Sequence, residues 1–144
     1  MHSSSVEYAP TARGSAPGRY DAGVPAIVEM PVLPASYNTT RFAPWYVAHA
    51  ENKKLMEAIG WALRMSNLPR RVESVTACAE LRFPSRRRRD EGNFRTPLEK
   101  ALGDSLVQLQ YLPDDTPDRF RFDRLVFLPD TGAACTTMIL EWRQ

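Results

Sequence analysis

From Val72 to Phe83 the chain alternates without a break. Val75, Ala77, Ala79, Leu81 and Phe83 share one side, and Thr76, Cys78, Glu80 and Arg82 share the other. A period of two with β-branched content is the pattern of a strand that buries a single face. Such a strand cannot stand alone. Its backbone needs neighbouring strands, and its apolar face needs a covering layer.

Two helical patterns offer that layer. From about Pro44 to Ser66, Leu55, Ile59, Ala62 and Leu63 recur on one face while Glu51, Lys53, Lys54 and Glu57 occupy the other, and Asn67-Leu68-Pro69 stops the run. A second helix is expected to start at Thr96-Pro97-Leu98-Glu99, which combines an N-cap threonine, a first-turn proline and a capping-box glutamate. Leu98, Ala101, Leu102, Ser105, Leu106 and Leu109 form its apolar stripe, with Lys100 and Asp104 one turn apart on another face. The run AIVEMPVL over 26–33 reads as a strand, and Pro31 favours an edge position. Two more strands are expected near 119–128 and 134–142, joined by Pro129-Asp130-Thr131-Gly132. The predicted fold class is α/β: a small mixed β-sheet with two main helices packed on it, in the order β-α-β-α-β-β, forming one domain over 26–144. Residues 1–25 are rich in Ser, Ala, Pro and Gly without apolar periodicity, so a disordered tail is expected there.

Composition removes several chemistries. A net charge of +2 is too small to announce a nucleic-acid partner, so local arrangement must carry any such argument. No apolar run approaches a membrane span and the start MHSSSVEYAP has no hydrophobic signal core, so a cytoplasmic protein without a membrane partner is expected. Cys78 and Cys135 form no metal-ligand cluster and read as buried free thiols. With only His2 and His49, mechanisms built on several histidines lack their parts. There is no nucleophile elbow, no phosphate-binding loop and no dinucleotide fingerprint, and no small-molecule cofactor is expected.

What remains in quantity is Asp, Glu, Arg and Lys, and their order is informative. Arg86, Arg87, Arg88 and Arg89 run straight into Asp90-Glu91-Gly92-Asn93, followed by Lys100, Asp104 and the pair Asp114-Asp115. Arginines attract phosphate and carboxylates repel it, unless a divalent cation sits between them. Mg²⁺ is usually held by one or two carboxylates, with waters and substrate phosphate completing its shell. Asp90 and Asp115 are the candidate ligands of Mg²⁺ (or Mn²⁺), with Asp114 and Glu91 as supplementary ones. The metal would acidify a bound water and polarise a phosphodiester. Arg86 to Arg89 would grip flanking phosphates and Lys100 would stabilise developing charge. This requires Asp90 and Asp115 to converge, with the Asp114-Asp115 loop running back across the sheet. Taken singly, each part has a plainer reading: a solvated arginine loop, an ordinary turn, and a surface Lys100–Asp104 pair.

In sequence order, this constellation resembles the RusA family of Holliday-junction resolvases. The family has a basic run leading into Asp-x-Asp-Asn, a helical K-x-x-x-D-x-L, and an Asp-Asp turn. Here RRRRDEGN and Lys100-Ala101-Leu102-Gly103-Asp104-Ser105-Leu106 stand in those places, with Asn38 and Arg41 ahead of a helix carrying Trp45 as a weaker N-terminal similarity. The resemblance spans roughly 27–142, with its specific part within 86–115. It implies a small α/β homodimer that nicks four-way DNA junctions in pairs, with Mg²⁺ and in a phage or prophage setting. Carried over by position, Asp90, Asp115 and Lys100 become catalytic, while Asn93, Asn38 and Arg41 join the arginines in DNA binding. Two departures stand out: Gly92 replaces the second motif aspartate, and Phe94-Arg95-Thr96-Pro97 lengthens the interval to Lys100. Loss of one carboxylate lowers the site's negative charge, so a junction-binding protein that has lost the chemistry is the alternative expectation.

Overall fold

The fold is that of a computed structural model describing residues 24–144. The tail expected over 1–25 lies outside the described residues apart from Val24 and Pro25. The elements are β1 (Ala26–Met30), α1 (Tyr37–Thr40), α2 (Trp45–Arg64), β2 (Ser74–Arg82), α3 (Glu91–Gln108), β3 (Phe120–Phe127) and β4 (Cys135–Arg143). This is the expected α/β order with one added helical turn, α1. The first strand stops at Met30 because Pro31 has no N–H to continue a ladder.

One mixed sheet runs in the order β1-β4-β2-β3. β4 pairs antiparallel with both β1 and β2, whereas β2 and β3 are parallel, with α3 forming the crossover between them. The alternation read in β2 holds: Val75, Ala77, Ala79 and Leu81 are fully buried beneath the helices. In β3 the pattern Phe-Arg-Phe-Asp-Arg-Leu breaks strict alternation, and the register answers with a shift. Ala77 faces Phe122 but Cys78 faces Arg124, so Asp123 is the extra residue of a bulge. That one residue returns Leu125 to the buried side beside Phe120 and Phe122.

Leu55, Ile59 and Leu63 of α2, and Leu98, Ala101, Leu102 and Leu106 of α3, bury against the sheet. Each buried leucine contributes about 1.5–3 kcal/mol relative to exposure. Behind them the Tyr111 hydroxyl donates to the Leu63 carbonyl at 3.2 Å, joining the chain after α3 to the end of α2. Cys78 and Cys135 are half-buried rather than buried, because they alternate onto the sheet face turned away from the helices. No helix among the described residues is long and apolar enough to cross a membrane.

The start of α3 corrects the sequence expectation. Asp90, not Thr96, is the N-cap, and the helix continues through Pro97. An interior proline costs about 3 kcal/mol in an isolated helix. Tertiary packing offsets it. Phe94 sits edge-on to Phe83 and Phe127, with centroids 5.2 and 5.8 Å away. Arg95 is paired with Glu91 and Glu99 and donates to the Phe122 carbonyl. Both anchors lie before Pro97, so the early turns are held from outside the helix.

Candidate nucleic-acid interface

The loop between β2 and α3 carries the arginine run. Its ends are fixed by the Phe83–Phe94–Phe127 cluster and by the helix cap at Asp90. The four arginines do not behave alike. Arg89 lies over the Phe83 ring at 3.9 Å and donates to the carbonyls of Ser85 and Arg87 at 3.0 and 3.2 Å. It is tied into the loop it belongs to. Arg86, Arg87 and Arg88 are exposed, and their side chains have no hydrogen bond or ion pair among the described residues. Three free guanidinium groups on an anchored loop form a cationic patch beside the N-terminus of α3, where the helix dipole adds further positive potential.

Asp90 meets that potential directly: its Oδ1 accepts from the Gly92 N–H at 3.3 Å. Glu91 lies in the first turn and pairs with Arg95 at 3.9 Å. Glu91 is the first residue of α3 and Asp90 its N-cap, so helix geometry sets the direction of both side chains. Gly92 has no positive φ, and a methyl group there would meet nothing nearer than Asp90 Oδ1 at 3.9 Å. The first carbon of a side chain would therefore fit at this position without strain. The Asn93 N–H donates to the Asp90 carbonyl at 3.1 Å, and the exposed Asn38 donates its N–H to Ser36 Oγ at 3.2 Å within α1.

Asp114 and Asp115 follow the C-terminal end of α3, and Asp115 turns back alongside the helix. Asp115 is exposed, and its Oδ2 would be 3.5 Å from a methyl group placed on Gly103. Gly92 and Gly103 are separated by about 16 Å of helix axis. Even with both carboxylates reaching inward, Asp90 Oδ1 and Asp115 Oδ2 stay roughly 9 Å apart. Two oxygens on one Mg²⁺ lie within about 4 Å of each other. Within one chain, then, Asp90 and Asp115 do not share a cation. The two carboxylates approach α3 at different heights, Asp90 beside Gly92 and Asp115 beside Gly103, so the expected convergence is not seen within one chain. Among the described residues, no group of three or more His, Cys, Asp or Glu side chains is placed to hold a metal.

Asp114 is occupied locally. It accepts from the Thr116 hydroxyl at 2.8 Å and the Thr116 N–H at 3.2 Å, with Arg119 at 3.8 Å. The Thr116 hydroxyl, then its N–H, then the Arg119 charge hold the carboxyl below the ordinary aspartate range. Lys100 pairs with Asp104 at 3.1 Å, as an i,i+4 neighbour.

A feature absent from the sequence reading is the cleft between α1, α2 and α3. It has a volume of about 690 Å³, and Lys100 and Asp104 line it together with Tyr37, Arg41, Trp45, His49 and Asn52. Aromatic residues at the start of a helix read as ordinary amphipathic content. Only the fold shows that Trp45 remains 77% exposed beside two cationic side chains.

No protein-family model matches this chain, and no curated protein matches it.

Proposed function

We propose that this chain binds branched DNA, a four-way junction above all, by gripping the phosphate backbone with Arg86, Arg87 and Arg88. The observation that supports this most is the division of labour in the loop: one arginine secures the backbone and three are left without partners. Each phosphate neutralised releases condensed counterions, so affinity should fall steeply with salt, by about 0.9 log unit per contact for each log unit of salt. The preference for a junction comes from the RusA resemblance, as does a homodimer whose two-fold axis matches that of the DNA. Titrating a labelled four-way junction and a duplex of equal length over a salt series tests the reading. Tighter junction binding with a steep salt slope supports it; equal affinities at moderate salt overturn it.

A second reading, Mg²⁺-dependent paired nicking of the junction, draws on Asp115, an exposed carboxylate with no partner among the described residues. Since α3 separates it from Asp90, this reading requires a site built from two copies, Asp90 of one protomer facing the partner's Asp115. A two-fold dimer would then hold two equivalent sites for two strands. Complementation tests this directly. Neither Asp90→Asn nor Asp115→Asn alone should nick, whereas the mixed variants should regain one intact site per heterodimer and cut one strand. Mixing without recovery, or no nicking by the unaltered protein in Mg²⁺ or Mn²⁺, leaves DNA binding as the function.

A further inference from the structure

Resting on the DNA-binding reading, we propose that the cleft between α1, α2 and α3 is a subsite for an unpaired nucleotide of the bound DNA. Its walls have the two chemistries a nucleotide needs. Tyr37 and Trp45 line it with aromatic surface, Trp45 77% exposed and Tyr37 45% exposed. Arg41 supplies positive charge at the same cleft; Lys100 is paired there with Asp104 at 3.1 Å, and Glu51 also lines the wall. Arg41 has no carboxylate partner among the described residues, its guanidinium resting instead on the Phe42 ring at 4.5 Å. Asn52 adds an amide at the cleft wall, its nitrogen donating to the Met56 sulfur at 3.4 Å.

Here the exposed aromatic surface lies beside the unpaired Arg41 guanidinium rather than in a purely apolar patch. That combination favours a ligand that is flat and apolar on its faces and anionic at its rim. Single-stranded nucleic acid is bound in this way, by aromatic platforms flanked by basic side chains. The cleft's volume of about 690 Å³ lies within the usual range for small-ligand sites. Position also agrees. Thr96 of α3 lines the cleft, and it is about 9 Å of helix from Asp90, where the arginine loop ends. One strand could leave the arginine patch and place its next unpaired nucleotides in the cleft. A gap or a flap offers such nucleotides, as does a junction whose central pairs open; an intact duplex does not.

The test uses the full chain, an intact duplex, and the same duplex carrying a short gap with 2-aminopurine in the single-stranded part. The gapped DNA should bind more tightly, and its 2-aminopurine fluorescence should be quenched on binding. Trp45→Ala should weaken gapped-DNA binding by about 5- to 150-fold, the range expected for losing one stacked base, and abolish the quench. Duplex affinity should stay within about twofold, since the arginine loop is untouched. Arg41→Ala should lower affinity for the gapped DNA and flatten its salt dependence while leaving the quench. Trp61→Ala, an equally exposed tryptophan outside the cleft, should change neither. The proposal is overturned if the unaltered protein binds gap and duplex equally, if Trp45→Ala weakens both alike, or if the quench survives it. It is also overturned if free deoxynucleotide competes as well as the gapped strand, since the cleft would then serve a small molecule. Failure of the underlying DNA-binding reading looks different: neither DNA is bound, or replacing Arg86 to Arg88 leaves duplex affinity and its salt slope unchanged.

Discussion

The Arg89 guanidinium rests 3.9 Å from the centre of the Phe83 ring, on the last inward-facing side chain of the β2 alternation. A continuous basic run is thereby divided into one structural arginine and three available ones. Replacing Arg86, Arg87 and Arg88 together with alanine should leave the urea midpoint nearly unchanged and reduce the slope of log affinity against log salt by up to about 2.7. Arg89→Ala should do the reverse, costing about 0.5–1 kcal/mol of stability with a smaller change in slope. Paired salt titrations and urea melts measure both.

Asp90 holds a cap as well as a charge, and the two can be separated. Asp90→Ala should destabilise the fold by about 0.5–2 kcal/mol, because the Gly92 N–H loses its acceptor. Asp90→Asn keeps a good cap and should cost much less, mainly through the lost charge at the helix start. Thermal melts of the two variants should differ, which makes asparagine the sound substitution for any cleavage assay.

Gly103 should resist replacement even though alanine is the better helix former. A methyl group there would meet Phe120 Cε2 at 3.2 Å and Cδ2 at 3.3 Å. The helix-propensity gain is about 1 kcal/mol, against about 1–3 kcal/mol for overpacking. A small net loss is expected for Gly103→Ala, and a smaller one when Phe120 is also shortened to leucine. A double-mutant cycle by urea denaturation reads the coupling.

The Thr116 hydroxyl and N–H, followed by the Arg119 charge, depress the Asp114 carboxyl. A group whose folded value is depressed adds stability above its unfolded value, and that contribution is lost as pH falls through the folded value. Asp114 should therefore favour the folded state fully at neutral pH and lose that effect in acid, below the ordinary aspartate range. By NMR titration, Asp114 should protonate at a lower pH than an unpartnered exposed aspartate, and Thr116→Val should move it upward. An Asp114 titration indifferent to Thr116→Val would contradict this geometry.

Periodicity made most of the fold legible. The alternation of Val75, Ala77, Ala79 and Leu81 has a single structural solution, and so has the stripe of Leu55, Ile59 and Leu63. The start of α3 was misread because Thr96-Pro97-Leu98-Glu99 satisfies every local rule for a helix beginning. The deciding contacts, Phe94 on Phe83 and Phe127 and Arg95 on the Phe122 carbonyl, join segments far apart in sequence. The candidate site suffered the same limit. Order along the chain suggested that Asp90 and Asp115 belong together, but a helix between two residues also fixes how far apart they stand. Arg41, Trp45, Lys100 and Asp104 each stand out in the sequence, but that they line one cleft was not legible, since its walls come from three separate elements.

The register of Ala26 with Leu140 and Met30 with Thr136 seats the first strand against the last. During synthesis β1 must therefore wait for β4 before its backbone can join the ladder, although α2, which packs against β1, is made much earlier. The rest of the sheet can assemble from nearer neighbours in the meantime. Pairing of β1 is thus deferred to the end of the chain, and a strand edge left open over that interval is where a slow or crowded chain would be captured by a chaperone.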